Sequence, residues 1–115
     1  MRGSAVVLIV AAAALLFGCG PTKRDEEVLK QDLFALRRGI DNYTMDKDKA
    51  PQSLDDLVHA GYLRAIPVDP ITRKADWVPV QDDVLKSVNQ MATGIADVHS
   101  ASDKTARDGT TYSSW

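Results

Sequence analysis

The sequence predicts an α+β domain: one long helix in the first half, then a short helix and two short strands. Three observations carry this. Apolar residues recur at Leu29, Leu33, Leu36, Ile40 and Tyr43 in steps of 4, 3, 4 and 3, which lines one face of a helix. Two β-favouring runs, Asp76-Trp77-Val78-Pro79-Val80 and Gly94-Ile95-Ala96-Asp97-Val98-His99, lie in the second half. Ala50-Pro51, Gly61, Pro67 and Pro70 punctuate the stretch between the helix and these runs.

The long helix is expected from about Lys23 to Asp46. Thr22 stands three residues before Asp25, the spacing of a capping box. Asp25, Glu26 and Glu27 put negative charge in the first turn, where the helix dipole favours it. At 1.5 Å per residue this helix is about 35 Å long, more than a small domain needs for its own packing. Its apolar stripe reads as the buried side of the helix; a helix–helix assembly seam built from Leu29, Leu33, Leu36, Ile40 and Tyr43 is the sharper alternative.

Ser53 caps a second, short helix with Asp56 at its third position. Leu54, Leu57 and Val58 form its inner face, and Gly61 supplies a left-handed residue to end it. Pro67 and Pro70 hold the chain extended through Val68 and Asp69. Pro79 cannot donate to a ladder, which places the first strand at an edge. Gln81 to Thr93 is polar and is expected to be a loop, with a helical turn at Asp83 to Val88. Trp115 is costly to leave in water and is expected to dock on the sheet.

Residues 1–18 read as a separate segment. Ala5 to Phe17 is apolar and uncharged behind Arg2, about 13 residues long, which suits a signal peptide and is short for a membrane span of about 20. Leu16-Phe17-Gly18-Cys19 follows, and Cys19 is the only cysteine, so it has no disulfide partner within the chain. The pattern resembles the lipobox of bacterial lipoproteins, with Cys19 as the lipidated residue and residues 19–115 as one small mature domain facing the periplasm. A plain secretory signal and a prepilin-like leader at Arg2-Gly3-Ser4 are the alternatives.

Fourteen basic and sixteen acidic residues give a formal net charge of −2. The cations are scattered and aromatics are few, which argues against a nucleic-acid partner. No internal repeat is present.

Several motifs together carry a resemblance. They are Leu36-Arg37-Arg38-Gly39-Ile40-Asp41-Asn42-Tyr43, Ala50-Pro51-Gln52-Ser53-Leu54, Leu57-Val58-His59-Ala60-Gly61-Tyr62-Leu63 and Ile66-Pro67-Val68-Asp69-Pro70. Near the end come Gly94 to Asp103 and Asp108-Gly109-Thr110-Thr111-Tyr112-Ser113-Ser114-Trp115. In order and spacing, residues 28–115 resemble the soluble part of the major, G-type pseudopilin of type II secretion. The resemblance implies a long helix packed on a small antiparallel sheet with an ordered C-terminal loop. It also implies calcium in that loop, with Asp103 and Asp108 as carboxylate ligands and Ser102 and backbone carbonyls completing the shell. Calcium takes six to eight hard oxygen ligands and tolerates irregular loops.

The N-terminus departs from the pseudopilin pattern. Leu8 stands where the family has the glutamate that neutralises a neighbour's amine, and the apolar run stops at Gly18-Cys19-Gly20-Pro21. An unpaired amine in lipid is costly. The chain thus reads as a pseudopilin head domain on a lipid anchor. The lipoprotein resemblance implies the outer membrane, since Gly20 follows the cysteine where Asp would be the usual inner-membrane retention signal.

Other motifs carry less. Asp46-Lys47-Asp48 begins like a calcium-binding EF-hand loop but fails at Ala50 and Pro51. His59 and His99 have no partner at metal-ligand spacing, and a backbone hydrogen bond is the expected role of His99. Ser53 is a cap and not a nucleophile. Asn42-Tyr43-Thr44 is a glycosylation sequon set inside a helix. No catalytic constellation is visible, so an enzyme is not expected. The leading expectation is a non-enzymatic component of protein secretion or pseudopilus-like assembly, partnered by the membrane and by secretion-system subunits. The alternative is a lipid-anchored envelope binding module that keeps the fold without polymerising.

Overall fold

The computed structural model describes residues 20–87 and 90–115, with side chains at 82–92 excepted. Helix α1 (Lys23–Lys47) is followed by helix α2 (Leu54–His59), strands β1 (Val78–Ser87) and β2 (Gln90–His99), and a 3-10 turn at Tyr112–Ser114. The two strands form one antiparallel sheet. The molecule is therefore a small α+β fold of a long helix against a two-stranded hairpin.

The start of α1 is fixed locally. The Thr22 hydroxyl accepts the Asp25 N–H at 3.1 Å, and the Asp25 carboxylate accepts the Thr22 N–H at 2.9 Å, so two otherwise orphaned donors are satisfied. Asp48, in the left-handed conformation, ends the helix. At α2, Asp56 accepts the backbone N–H groups of Gln52 and Ser53, and Gly61 at φ +88° turns the chain away.

Leu29, Leu33, Leu36, Ile40 and Tyr43 are all buried, and Leu36 is 0% exposed. They meet Leu57 from α2, Ile95 and Val98 from β2, Trp77, and Tyr112 in one core. The stripe is thus the inner side of the domain. An assembly seam on these five residues is corrected: their surface is already consumed, so any docking face of α1 lies elsewhere.

The hairpin is longer than the sequence pattern indicates. The expected loop at Gln81–Thr93 and helical turn at Asp83–Val88 are corrected, since β1 runs on to Ser87 and β2 begins at Gln90. The outer half has no clean apolar alternation, so the period-2 signal is missing, yet main-chain pairing needs none.

A bulge decides what the inner half buries. Val80 pairs with Asp97 and Gln81 with Ile95, which leaves Ala96 as the extra residue on β2. In a regular strand Ile95 and Val98 would face opposite sides. The bulge re-aims one of them, and Ile95 at 2% and Val98 at 0% exposure both enter the core. The link between the helices runs along β2: the Ile95 N–H donates to the Pro51 carbonyl at 2.8 Å, and Gln52 Nε2 donates to the Thr93 carbonyl at 2.8 Å.

Candidate functional site

Two features stand out: a latch that closes the C-terminal segment on α1, and an open apolar groove beside it. The latch begins with Glu26, in the first turn of α1. Its carboxylate accepts the Tyr112 hydroxyl at 2.6 Å and the Arg107 N–H at 3.0 Å. The Tyr112 hydrogen bond, helped by Arg107 and opposed by burial, holds the Glu26 carboxyl below its ordinary 4.5. Burial first, and then the Glu26 carboxylate, push the Tyr112 phenol up to about 12.

Arg37, about three turns further along α1, ties three segments together. Its Nε donates to Asp97 at 2.8 Å, and one terminal nitrogen donates to the carbonyls of Val98 at 3.0 Å and Trp115 at 2.5 Å. His99 Nδ1 also reaches the Trp115 carbonyl at 2.8 Å, which requires the proton on Nδ1 and is the backbone role expected of that histidine. The Trp115 ring meets Tyr112 edge-on at 5.1 Å, its N–H donates to Thr110, and the Lys30 ammonium lies 5.3 Å from its centroid. Trp115 therefore docks on α1 and the 3-10 turn. Its tie to the sheet runs through His99 at the end of β2, and its side chain packs against the core cluster that includes Ile95 and Val98.

A groove of about 800 Å³ runs along the outer side of α1, between Trp115 and Met45. Phe34 is 64% and Met45 is 73% exposed there, among the largest apolar side chains left in water in the described residues. Lys30, Arg38 and Asp41 flank them. Arg38 lies over the Phe34 ring, 6.0 Å from its centroid.

The residues expected to hold calcium are only partly free for it. Asp108 accepts both the N–H and the hydroxyl of Thr110 on one carboxylate oxygen, which holds its carboxyl below the usual range. Ser102 is buried, and its hydroxyl accepts the Lys104 N–H. Asp103 is exposed and makes no hydrogen bond among the described residues. Protein contacts in this loop include a Thr105–Thr111 bridge, an Ala106 N–H donating to the Thr110 carbonyl at 2.6 Å, and Tyr112 anchored on Glu26. Among the described residues no three His, Cys, Asp or Glu side chains cluster as a metal site.

Cys19, the expected lipidation point, lies outside the described residues. No helix among the described residues is long and apolar enough to cross a membrane.

Three structural residues escaped the sequence pattern. Glu26 reads as an ordinary first-turn charge, and Arg37 as part of a solvated face. Asp69 is 0% exposed and organises a turn, accepting the Ile71 and Thr72 N–H groups on one oxygen and the Ser100 hydroxyl on the other. Its signal was the Asp69-Pro70 dipeptide, a turn initiator whose side chain bonds the backbone two residues on. Burial with a nearby Asp69 charge raises the carboxyl of Asp32 on α1.

Comparison of the chain with protein-family models, curated proteins and solved structures returned no match.

Proposed function

We propose that this chain is a non-enzymatic structural subunit, related to the pseudopilins of type II secretion, held to a membrane by lipid on Cys19. Its domain faces the periplasm and docks with other subunits through the outer side of α1. One observation carries the reading. Helix α1 has two apolar sides, one consumed by the core and one left open at Phe34 and Met45. A long helix with an unpartnered second face is what an assembling subunit presents to its neighbours. The groove also favours a second reading, a lipid-anchored module that binds an envelope ligand of small-molecule size. Calcium at Asp103, Asp108 and Ser102 belongs to the pseudopilin reading and is tested separately.

The test has two parts. Intact mass of the N-terminal peptide, taken from membranes of the native host, is expected to show a lipid-modified peptide beginning at Cys19. A peptide beginning at Ser4 would overturn the lipid anchor in favour of prepilin processing. Affinity capture of the full chain is expected to recover pseudopilin or secretion-platform subunits, and Phe34→Asp is expected to lose them. Capture unchanged by Phe34→Asp would remove the outer side of α1 as the docking surface.

A further inference from the structure

We infer that the open side of α1 is a self-complementary seam, and that its occupant is α1 of a second copy of this chain, packed antiparallel. The inference rests on reading that side as a docking surface. Phe34, Arg38, Asp41 and Met45 follow one another in steps of 4, 3 and 4, so they share one side of α1, across the helix from Leu36 and Ile40. All four are exposed. Neither Arg38 nor Asp41 makes an ion pair among the described residues, although both stand on this side.

The order of these residues selects the partner. A two-fold axis between Gly39 and Ile40 sets each residue opposite a fixed counterpart in the second copy. Phe34 then faces Met45, and Arg38 faces Asp41, and each contact occurs twice. This is the reciprocity a two-fold interface requires. It is also the layer pairing of an antiparallel coiled coil, where each seam position meets the other type of seam position. The two apolar residues meet each other, and the two charges meet opposite charges. A parallel pairing would instead set Arg38 on Arg38 and Asp41 on Asp41, which repels. The Phe34–Met45 contact joins an aromatic ring to a thioether, a favourable and adaptable pair. A seam of about three turns lies at the small end of protein interfaces, below about 1,200 Å², so the dimer is expected to be weak and reversible.

Charge reversal tests both the occupant and its orientation. The full chain is solubilised in density-matched detergent and its self-association followed by sedimentation equilibrium. Arg38→Glu and Asp41→Arg are each expected to weaken the dimer at least about tenfold, because each sets like charges opposite one another twice. The double variant carrying both reversals is expected to regain it, as is an equimolar mixture of the two single variants. That rescue separates a broken contact from a misfolded chain. Cysteine pairing then reads the orientation, with the wild-type chain as the control for Cys19. A mixture of Phe34→Cys and Met45→Cys chains is expected to cross-link to each other. Phe34→Cys alone is not, since the two copies of residue 34 would lie about 16 Å apart along the seam.

A dimer indifferent to both single reversals overturns the proposal, and so does cross-linking of Phe34→Cys to itself. A monomeric wild-type chain whose capture of other proteins or of a lipid surface is lost in Phe34→Asp overturns the second copy as occupant while the docking surface stands. A monomer whose capture is unchanged by Phe34→Asp removes both.

Discussion

The Glu26 carboxylate, in the first turn of the long helix, accepts the Tyr112 hydroxyl at 2.6 Å from a residue 86 positions further along the chain. This contact fastens the C-terminal segment to the start of α1, and its two partners shift each other's titration in opposite directions. Tyr112→Phe keeps the ring and removes only the hydroxyl. It is expected to cost about 1 kcal/mol, or roughly 4–8 °C in Tm for a domain of this size, in a thermal melt.

The pH dependence follows from the same pair. The Glu26 carboxyl is lowered on folding, so its contribution is present above its ordinary value of 4.5 and lost as pH falls through the lowered folded value. The Tyr112 phenol is raised, so its contribution is present below its ordinary 10.0 and lost as pH rises towards about 12. Melts across pH are therefore expected to show an acid limb that Glu26→Gln flattens. Ultraviolet titration is expected to show a tyrosine ionising near 12 that Tyr112→Phe removes.

The two sides of α1 should respond differently to substitution. Leu36 is 0% exposed, and Leu36→Ala is expected to destabilise by about 2–5 kcal/mol through lost burial and a residual cavity. Phe34→Ser removes an exposed ring and is expected to change stability by less than about 0.5 kcal/mol. Denaturant unfolding of both variants checks this. Equal losses would mean that Phe34 is covered in solution by more than water.

Gly94 is where the link between the helices presses on β2. A Cβ there would stand 2.5 Å from the Ala50 Cβ and 3.1 Å from the carbonyl oxygens of Ala50 and Pro51. These are backbone-borne atoms that cannot swing aside. Gly94→Ala is expected to cost about 1–3 kcal/mol by overpacking, read as a lower midpoint in denaturant.

Calcium is addressed by melting the protein with the ion and with chelator. With Asp103 and Asp108 as ligands, about 10 mM calcium is expected to raise Tm by roughly 6–20 °C for a site of extracellular-module affinity, and Asp108→Asn to abolish the rise. An unchanged Tm would leave Glu26 and Tyr112 as the fastening of this loop without an ion.

What the sequence determined by itself is local. The capping box at Thr22 and Asp25, the 4-3-4-3 stripe of α1, the left-handed Gly61 and the inner strand residues Val78–Val80 and Gly94–His99 are each written within a few residues of where they act. Periodicity and caps depend only on near neighbours, so they survive in a linear reading. The tertiary structure alone decided which of two apolar readings of α1 holds: the stripe is core, and the open side is the one bearing Phe34 and Met45. It also decided that the polar segment after Val80 is strand, since pairing is a property of two segments and leaves no period in either when the faces are mixed. The latch residues were illegible for the same reason. Glu26 and Arg37 look like ordinary surface residues, and their roles arise from partners 60 to 86 positions away. No local pattern encodes such a distance; only the packing of β2 and the C-terminal segment against α1 brings those atoms within hydrogen-bonding reach.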